Sequence, residues 1–273
     1  MTRNETIQLI TDYVLKKTNN VNSVGLYNGK AGLSLALFVA SKYLQDENIE
    51  DKAYQLLMEA LIDLSNVFSF EDGWAGIGYA LLYLIENKYL DADFDEIFYT
   101  RYKQITNHYR DISDEPVKLL STSRVIYFLT NVKKHTNEED GMIQSIIQKY
   151  FEGIELFLSI QFHDFSDIHY INRKVNVLDL FYTYLKLACY ANYSFVSRLL
   201  LDDYAKLYRK GKVVSSFEVG FYFNQIAGLF DIKGYDDITF MNIHDGDKNI
   251  CLEALSLKDK IDAIRCLHTT DKE

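Results

Sequence analysis

The apolar positions of this chain follow two helical patterns that alternate from the N terminus onward. In one pattern, apolar residues recur every three or four positions opposite a polar stripe, which predicts an amphipathic outer helix. In the other, nearly every position is apolar, which predicts an inner helix buried on all sides. The predicted outer helices lie at about 5–18, 50–68, 93–110, 139–161 and 195–210, and the inner helices at about 32–44, 76–90, 118–133, 175–192 and 216–230.

The first two inner helices begin with the same local sequence. Gly29-Lys30-Ala31-Gly32 returns as Gly73-Trp74-Ala75-Gly76, at a spacing of 44 residues. A repeat of this length suits two helices per unit, with neighbouring units burying each other's apolar faces. We therefore predict an all-α fold, an α/α toroid of about five outer–inner helix pairs. The prediction is a single domain over residues 1–273, in which 1–230 form the helix pairs and 231–273 form a loop and a C-terminal helix tail.

The composition favours long helices and a large core. The 273 residues are 48% hydrophobic and include 21 Tyr, 17 Phe and a single Pro. A net charge of −10 argues against a nucleic-acid partner, which would require a basic face, and it suits a basic peptide partner. Three unpaired Cys and an N terminus without an apolar signal segment predict a reduced, cytoplasmic protein. The apolar runs are too short to predict a membrane span.

The residues at the starts of the inner helices are the candidate binding site. Glycine at such a start permits a positive φ and lets a neighbouring backbone approach closely. Inner helices that start at one end of a toroid would also gather their N–H groups around a central mouth, where an anionic group could bind. Aromatic rings, guanidinium groups and a carboxylate at this mouth could grip a peptide. The predicted binding residues are Tyr27, Asn28, Lys30, Asp72, Trp74, Arg124, Tyr170 and Arg173.

The two repeats carry a resemblance to a known family. The segments 25–32 and 72–87 resemble the first two repeat starts of the lanthionine synthetase C-like family, which includes the lantibiotic cyclases. That resemblance implies an α-toroid enzyme which adds cysteine thiols of a ribosomal peptide across dehydroalanine or dehydrobutyrine. It also implies a zinc ion, held by two Cys and one His, that lowers the pKa of the reacting thiol.

The chain departs from the family where the zinc ligands are expected. The family's Trp-Cys-x-Gly and Cys-His-Gly motifs have no match in these 273 residues. The resemblance implies a ring of seven inner and seven outer helices, so the five predicted pairs would make an incomplete ring. The closest alternative ligand set is Cys251, Cys266 and His268. We therefore predict no catalytic residue, no metal and no cofactor, and we expect a non-catalytic component that binds a peptide substrate or a partner modification enzyme. An incomplete ring would expose an apolar edge, which the tail or a second subunit of a homo-oligomer would cover.

Two enzymatic alternatives stay open. The first is an active peptide cyclase with a rebuilt zinc site, which would make zinc its cofactor. The second is a carbohydrate-active α/α barrel, for which Asp72 and Glu218 are the only pair of inward carboxylates that we nominate. The segment 163–169 carries two His and two Asp, which could form a metal or acid/base site, but it is interpreted as a solvated turn with helix caps. The segment 244–249 suggests a calcium loop, but Ile250 and Ser256 stand where the loop requires Gly and Glu. Cys189 lies within an apolar inner helix and is predicted to be a core thiol.

Overall fold

The structure is a computed structural model, and it describes residues 3–27, 29–112, 115–136, 141–163, 170–171, 175–213, 217–229, 233–235 and 237–238. These residues form ten helices: α1 (Arg3–Thr18), α2 (Lys30–Leu44), α3 (Glu47–Leu61), α4 (Trp74–Glu86), α5 (Phe94–His108), α6 (Pro116–His135), α7 (Met142–His163), α8 (Val177–Ala191), α9 (Arg198–Arg209) and α10 (Phe217–Leu229). One antiparallel pair of two-residue strands, β1 (Tyr170–Ile171) and β2 (Val175–Asn176), precedes α8.

The all-α prediction is confirmed, and the helices follow the predicted alternation. Every predicted outer or inner helix corresponds to one observed helix, so the described residues contain five outer–inner pairs in chain order. This arrangement is consistent with the predicted α/α toroid. The short strand pair was not predicted, because two residues per strand are too few to leave a period-two pattern in the sequence. The predicted helix at about 254–267 lies outside the described residues.

The contacts divide the chain into two compact units. Helices α1 to α5 belong to the first unit, in which α2 packs against α1, α3 and α4, and α4 packs against α5. Helix α4 is buried on nearly all sides, from Trp74 to Leu84, as its apolar sequence predicts. Helix α2 is joined to α3 by a buried hydrogen bond of 2.7 Å, in which the Ser34 hydroxyl donates to the carbonyl of Ala53.

Helix α1 buries a stripe that its apolar residues mark only in part. The apolar spacing predicts that Ile10 is buried with Val14, but Ile10 is exposed, while Thr11 and Thr18 are buried beside Val14. Both threonine hydroxyls donate to carbonyl oxygens of their own helix, at 2.8 Å, so their burial leaves no unpaired donor. The stripe of α1 that meets α2 therefore runs through threonines, which a pattern of apolar residues does not reveal.

The second unit contains most of α6 and all of α7 to α10. Helix α7 packs against α8 and α9, and α8 packs against α10. The apolar stripe predicted for α7 is buried throughout: Ile143, Ile146, Ile147, Tyr150, Phe151, Ile154 and Leu158. Aromatic rings of neighbouring helices meet in this core, where Phe181 of α8 stacks on Tyr204 of α9 at 4.4 Å between ring centroids.

Part of the predicted tail packs onto the second unit. The Arg209 guanidinium of α9 binds both carboxylate oxygens of Asp237 at 2.8 Å, and the ring of Tyr235 lies 4.9 Å from that of Phe223 in α10. Tyr235 and Ile238 are buried. This segment covers apolar surface of α10. That the tail or a second subunit covers the edge of an incomplete ring stays a prediction. The single-domain organisation also stays a prediction. Within the described ranges, no helix has the length and apolar character needed to cross a membrane.

Candidate functional site

The starts of α2 and α4 are built from two loops that pack against each other through their backbones. We call residues 23–32, apart from Asn28, the first entrance, and residues 65–76 the second entrance. The N–H of Tyr27 donates to the carbonyl of Glu71 at 2.8 Å. A methyl group added to Gly25 would lie 2.4 Å from the Cα of Asp72. The two repeats identified in the sequence are therefore in direct contact in the folded first unit.

Close approach, rather than backbone conformation, explains the glycines at both entrances. A Cβ at Gly76 would lie 2.0 Å from the carbonyl oxygen of Phe70, and one at Gly73 would lie 2.4 Å from that of Val67. Cβ atoms do not approach a backbone this closely, so only glycine allows the packing observed. Among the described residues, the glycines with positive φ are elsewhere, at Gly141, Gly211 and Gly234.

The first turn of α2 uses its N–H groups within the first entrance. Lys30 N–H donates to the carbonyl of Ser23 at 2.9 Å, and the next two N–H groups, of Ala31 and Gly32, donate to Val24 and Gly25. A helix N terminus binds an anion through such N–H groups when they lack partners. Because these three donors are paired inside the loop, the start of α2 does not offer them to an anionic ligand.

Trp74 anchors the second entrance to the outer helix α5. Its side chain is 1% exposed, and its indole N–H donates to the carbonyl of Ser65 at 2.8 Å. Its ring contacts Phe98 of α5 at 5.8 Å between centroids, and the Arg101 guanidinium carbon lies 3.9 Å from its centre. A cation over an indole face is the strongest form of the cation–π contact. Trp74 thus packs the entrance against α5 and presents no open face.

Arg101 was not predicted, and it ties the loop after α3 to α5. Besides lying on Trp74, its guanidinium donates to the carbonyl of Asp63 at 3.0 Å and to the Gln104 side chain at 3.1 Å. The same loop bends back onto its own backbone, where the N–H of Trp74 donates to the carbonyl of Val67 at 2.9 Å. An arginine on a predicted outer helix resembles any solvated charge in the sequence, so no local signal marks this role.

Lys30 occupies the corresponding position of the first entrance and reaches the outer helix α3. Its ammonium group lies 2.8 Å from the carboxylate of Glu59, with both side chains partly exposed, at 22% and 34%. The hydrogen bond from Lys30 lowers the pKa of Glu59 below its ordinary value. The sequence indicated Lys30 as a binding residue, but the i to i+29 pairing with Glu59 follows only from how α2 packs against α3.

The structure brings four of the eight predicted binding residues into the first unit. Tyr27, Lys30, Asp72 and Trp74 lie in the two entrances, with Asp72 exposed and Tyr27 half-buried against Phe70. In the second unit, Arg124 is exposed on α6, and Tyr170 begins β1. Asn28 and Arg173 lie outside the described residues. A binding role for the eight predicted residues stays a prediction.

The described residues do not fit the zinc ligand set that the sequence resemblance implies. No group of three His, Cys, Asp or Glu side chains is close enough to hold a metal ion within the described ranges. The described cysteine, Cys189, directs its thiol toward the carbonyl of Tyr222 at 3.8 Å, and burial raises its pKa to about 12. The alternative ligands Cys251, Cys266 and His268 lie outside the described residues, as do residues 164–169 of the polar segment 163–169. The side chain of Glu218 is also not described, so the carboxylate pair is untested.

The comparison with protein families concerns the part of the chain that holds both entrances. Residues 1–118 match the model of a family described as lanthionine synthetase C-like protein. The match supports a lanthionine synthetase C-like assignment for this portion of the chain. The family resemblance inferred from the two repeats is confirmed. The matched range contains α1 to α5 in full. No curated protein and no solved structure matches the chain.

Beyond the lanthionine synthetase C-like portion, the second unit holds a buried polar network that the sequence did not indicate. One carboxylate oxygen of Glu155 in α7 accepts hydrogen bonds from the Tyr184 hydroxyl at 2.6 Å and from the Ser197 N–H at 3.1 Å. Burial raises the pKa of Glu155 despite these two donors. Ser197 also caps α9, so the Glu155 carboxylate and the Tyr184 hydroxyl fix the start of that helix against α7 and α8. The only sequence signal was an acid beside the apolar stripe of α7.

Proposed function

We propose that this lanthionine synthetase C-like chain is a cytoplasmic, peptide- or partner-binding component of a ribosomal peptide modification pathway, without the zinc-dependent cyclase site. One observation carries the proposal. Residues 1–118 match the family model and contain both entrances, but the 273 residues lack the family's two cysteine motifs. The scaffold is kept, while the ligands that would activate a thiol are missing from these 273 residues.

The state of the described thiol supports this proposal. A nucleophilic cysteine requires a lowered pKa, which comes from a metal, a cationic neighbour or a helix N terminus. Cys189 instead lies within α8, and its pKa is raised to about 12 by burial. Fewer than about one in 10⁴ of such thiols ionise at neutral pH, as a pKa difference of several units requires. Cys189 is half-buried, and with this raised pKa it supplies no thiolate to a reaction.

The entrances supply the chemistry for binding a peptide. Tyr27 offers a half-buried aromatic ring, Asp72 an exposed carboxylate and Lys30 an ammonium group that Glu59 partly neutralises. Trp74 holds the second entrance in place from beneath and acts as a positioning residue in this proposal. A binding role for Asn28, Arg124, Tyr170 and Arg173 stays a prediction from the sequence. A carboxylate at this surface favours a peptide with a basic residue, in keeping with the net charge of the chain.

Metal analysis of the purified protein tests the non-catalytic part of the proposal. We expect zinc well below one equivalent after purification without chelator. We also expect no loss of free thiol when the protein is mixed with a synthetic peptide that contains one dehydroalanine and one cysteine. The proposal would be rejected if the wild-type protein held one equivalent of zinc and consumed thiol, and if Cys251→Ala or Cys266→Ala abolished both. That result would favour the cyclase with a rebuilt zinc site.

Binding of the same peptide tests the entrances. In fluorescence anisotropy, Asp72→Asn is expected to weaken binding of the peptide about threefold to tenfold, the usual range for one partly exposed charged contact. Asp91→Asn is the matched control, because Asp91 is also an exposed aspartate of the first unit but follows the opposite end of α4. Equal affinity of the two variants for the peptide would remove Asp72 from the site, and no binding by the wild-type chain would overturn the peptide-binding proposal.

A further inference from the structure

The outward face of α3 carries an unusually apolar half. Tyr54, Met58 and Ile62 follow each other at intervals of four residues and are 50%, 42% and 69% exposed. Residues four apart share one face of a helix, so these side chains form one continuous stripe that ends just after the last turn of α3. The opposite face of α3, with Ile49, Ala53, Leu56 and Leu57, is the one buried in the first unit. Contiguous exposed apolar side chains of this size are typical of an interaction surface.

The other half of the same face is acidic. Glu47, Glu50 and Asp51 are exposed in the first two turns of α3, and they lie within one helical turn of the line through Tyr54 and Met58. The cap of the helix is supplied separately by Asp46, whose carboxylate accepts from the N–H groups of Asn48 and Ile49. The acids gain only weakly from the helix dipole, because water screens the interaction at such exposure.

The basic residues near α3 do not neutralise this acidic half. Lys30 pairs with Glu59 on the flank of α3, and the Lys52 ammonium donates to the Gln55 side chain at 3.1 Å. Both contacts lie to the side of the line from Glu47 through Tyr54 and Met58, because residues 52 and 59 are rotated by more than a quarter turn from it. The face from Glu47 to Ile62 therefore runs from negative to apolar over ~22 Å, at 1.5 Å per residue.

Three kinds of occupant could cover this face: a second copy of the chain, an anionic lipid surface or a segment of a partner protein. The charge distribution disfavours the first two. In a symmetric dimer that uses the whole face, antiparallel pairing would place the acids of one copy on the apolar half of the other, and an offset pairing of the two apolar halves would leave the acids of both copies without a partner. Parallel pairing would place acid beside acid. Burying a carboxylate against apolar groups, or against another carboxylate, carries a desolvation or repulsion cost without compensation. An anionic lipid surface would be repelled by the acidic half for the same reason.

We propose that this face of α3, which we call the α3 face (Glu47, Glu50, Asp51, Tyr54, Met58 and Ile62), docks an amphipathic helical segment of a partner protein, with Lys or Arg at one end and apolar residues at the other. Apolar anchors would cover Tyr54, Met58 and Ile62, while the cations pair with the three acids. Amphipathic helices are commonly recognised in this way: the buried apolar area provides affinity, and the charges fix the orientation of the helix. The α3 face is distinct from the entrances, so the inference stands even if the chain proves to be a catalyst.

A designed peptide probes this chemistry directly. The probe is a fluorescently labelled helical peptide of about 18 residues, long enough to cover ~22 Å at 1.5 Å per residue, with Leu at intervals of four in one half and Lys in the other. Its first control has the same Leu positions with Glu in place of Lys. We expect the Lys peptide to bind the full chain and the Glu peptide to bind at least tenfold more weakly. Binding should weaken severalfold between about 50 and 500 mM salt, because salt screens exposed charges.

Surface variants locate the binding. Ile62→Asp and the double variant Glu50→Lys with Asp51→Lys should each weaken the Lys peptide at least tenfold. The matched controls are Leu199→Asp, which alters a residue with 62% exposure in the second unit, and the double variant Asp91→Lys with Glu96→Lys, which changes the net charge equally. Circular dichroism and the melting temperature verify folding, and Met58→Gln replaces Ile62→Asp if that variant unfolds.

The outcomes separate the occupants. Loss of binding in the α3-face variants, with the controls unchanged, supports the proposal. Equal binding by the variants and their controls overturns it, as does equal binding of the Lys and Glu peptides. Sedimentation of the chain alone also decides: a dimer that Ile62→Asp dissociates would assign the face to a second copy and overturn the proposal. Cosedimentation with anionic phosphatidylserine vesicles that Ile62→Asp abolishes would assign it to a lipid surface and overturn it equally.

Discussion

The two entrances share one sequence frame, but they attach their inner helices to the outer layer in different ways. Lys30 and Trp74 hold the same position in the frame, directly after the first glycine. Each reaches the outer helix that follows in the chain: Lys30 pairs with Glu59 of α3, and Trp74 packs on Phe98 and Arg101 of α5. The first contact is ionic and partly exposed, while the second is aromatic and fully buried.

This difference shows which part of the repeat is structural. The glycines and small residues allow the two loops to touch, and that requirement is the same at both entrances. The variable residue after the first glycine is a tether to the next helix, and its strength depends on burial. An exposed ion pair contributes about 0–1 kcal/mol, whereas removal of a buried Trp costs about 3–5 kcal/mol. The second entrance should therefore be the rigid one, and the first the one that can respond to a ligand.

The largest expected effect is at Trp74. Trp74→Ala should lower the free energy of unfolding by about 3–5 kcal/mol, because it opens a cavity beneath Arg101 and leaves the carbonyl of Ser65 without its donor. Trp74→Phe should cost less, since the ring is kept and only the N–H is lost. Urea unfolding followed by circular dichroism measures both. A cost below about 1 kcal/mol for Trp74→Ala would be typical of a half-exposed side chain and would contradict the buried tether.

The next largest effect on stability is expected at Gly76, which lies close to residues of both entrances. Gly76→Ala should destabilise by about 1–3 kcal/mol, because the new Cβ overlaps the carbonyl of Phe70 and the Leu26 side chain. Gly228→Ala is the control, since a Cβ at this helical position in α10 meets nothing within 4 Å. Alanine there should stabilise by about 0.5–1 kcal/mol through helix propensity. If thermal melts gave both variants the same shift, close approach would not be the reason for Gly76.

A smaller effect is expected at Arg101. Arg101→Met keeps much of the apolar stem but removes the cation over Trp74 and the donor to Asp63, so the cost should be about 1–2 kcal/mol. Arg101→Lys keeps the charge and loses the planar fork, and it should recover only part of that stability. Trp fluorescence reports the change locally, because Trp74 is the single Trp of the chain. Unaltered fluorescence in both variants would argue against the stacked arrangement.

The smallest effect is at Lys30. Lys30→Met should cost less than about 1 kcal/mol at pH 7, as expected for a partly exposed ion pair. The Glu59 pKa is lowered in the folded chain, so the pair stabilises above the ordinary pKa of 4.5, and this contribution is lost as pH falls through the folded value. The stability gap between wild type and Lys30→Met should therefore close as the pH is lowered below 4.5. A gap that persists in acid would assign the cost to the lysine stem.

The sequence by itself determined the class of fold and the family. The alternation of amphipathic and uniformly apolar helices, the buried stripe of α7 and the repeated glycine frame are local features, and periodicity in one segment is enough to detect them. Only the tertiary structure decided how Trp74 is used, which face α1 buries and why Gly76 has no Cβ. Each of these depends on a partner far along the chain, such as Arg101 for Trp74 or Leu26 for Gly76, and a local pattern carries no information about contacts that form only when distant segments pack together.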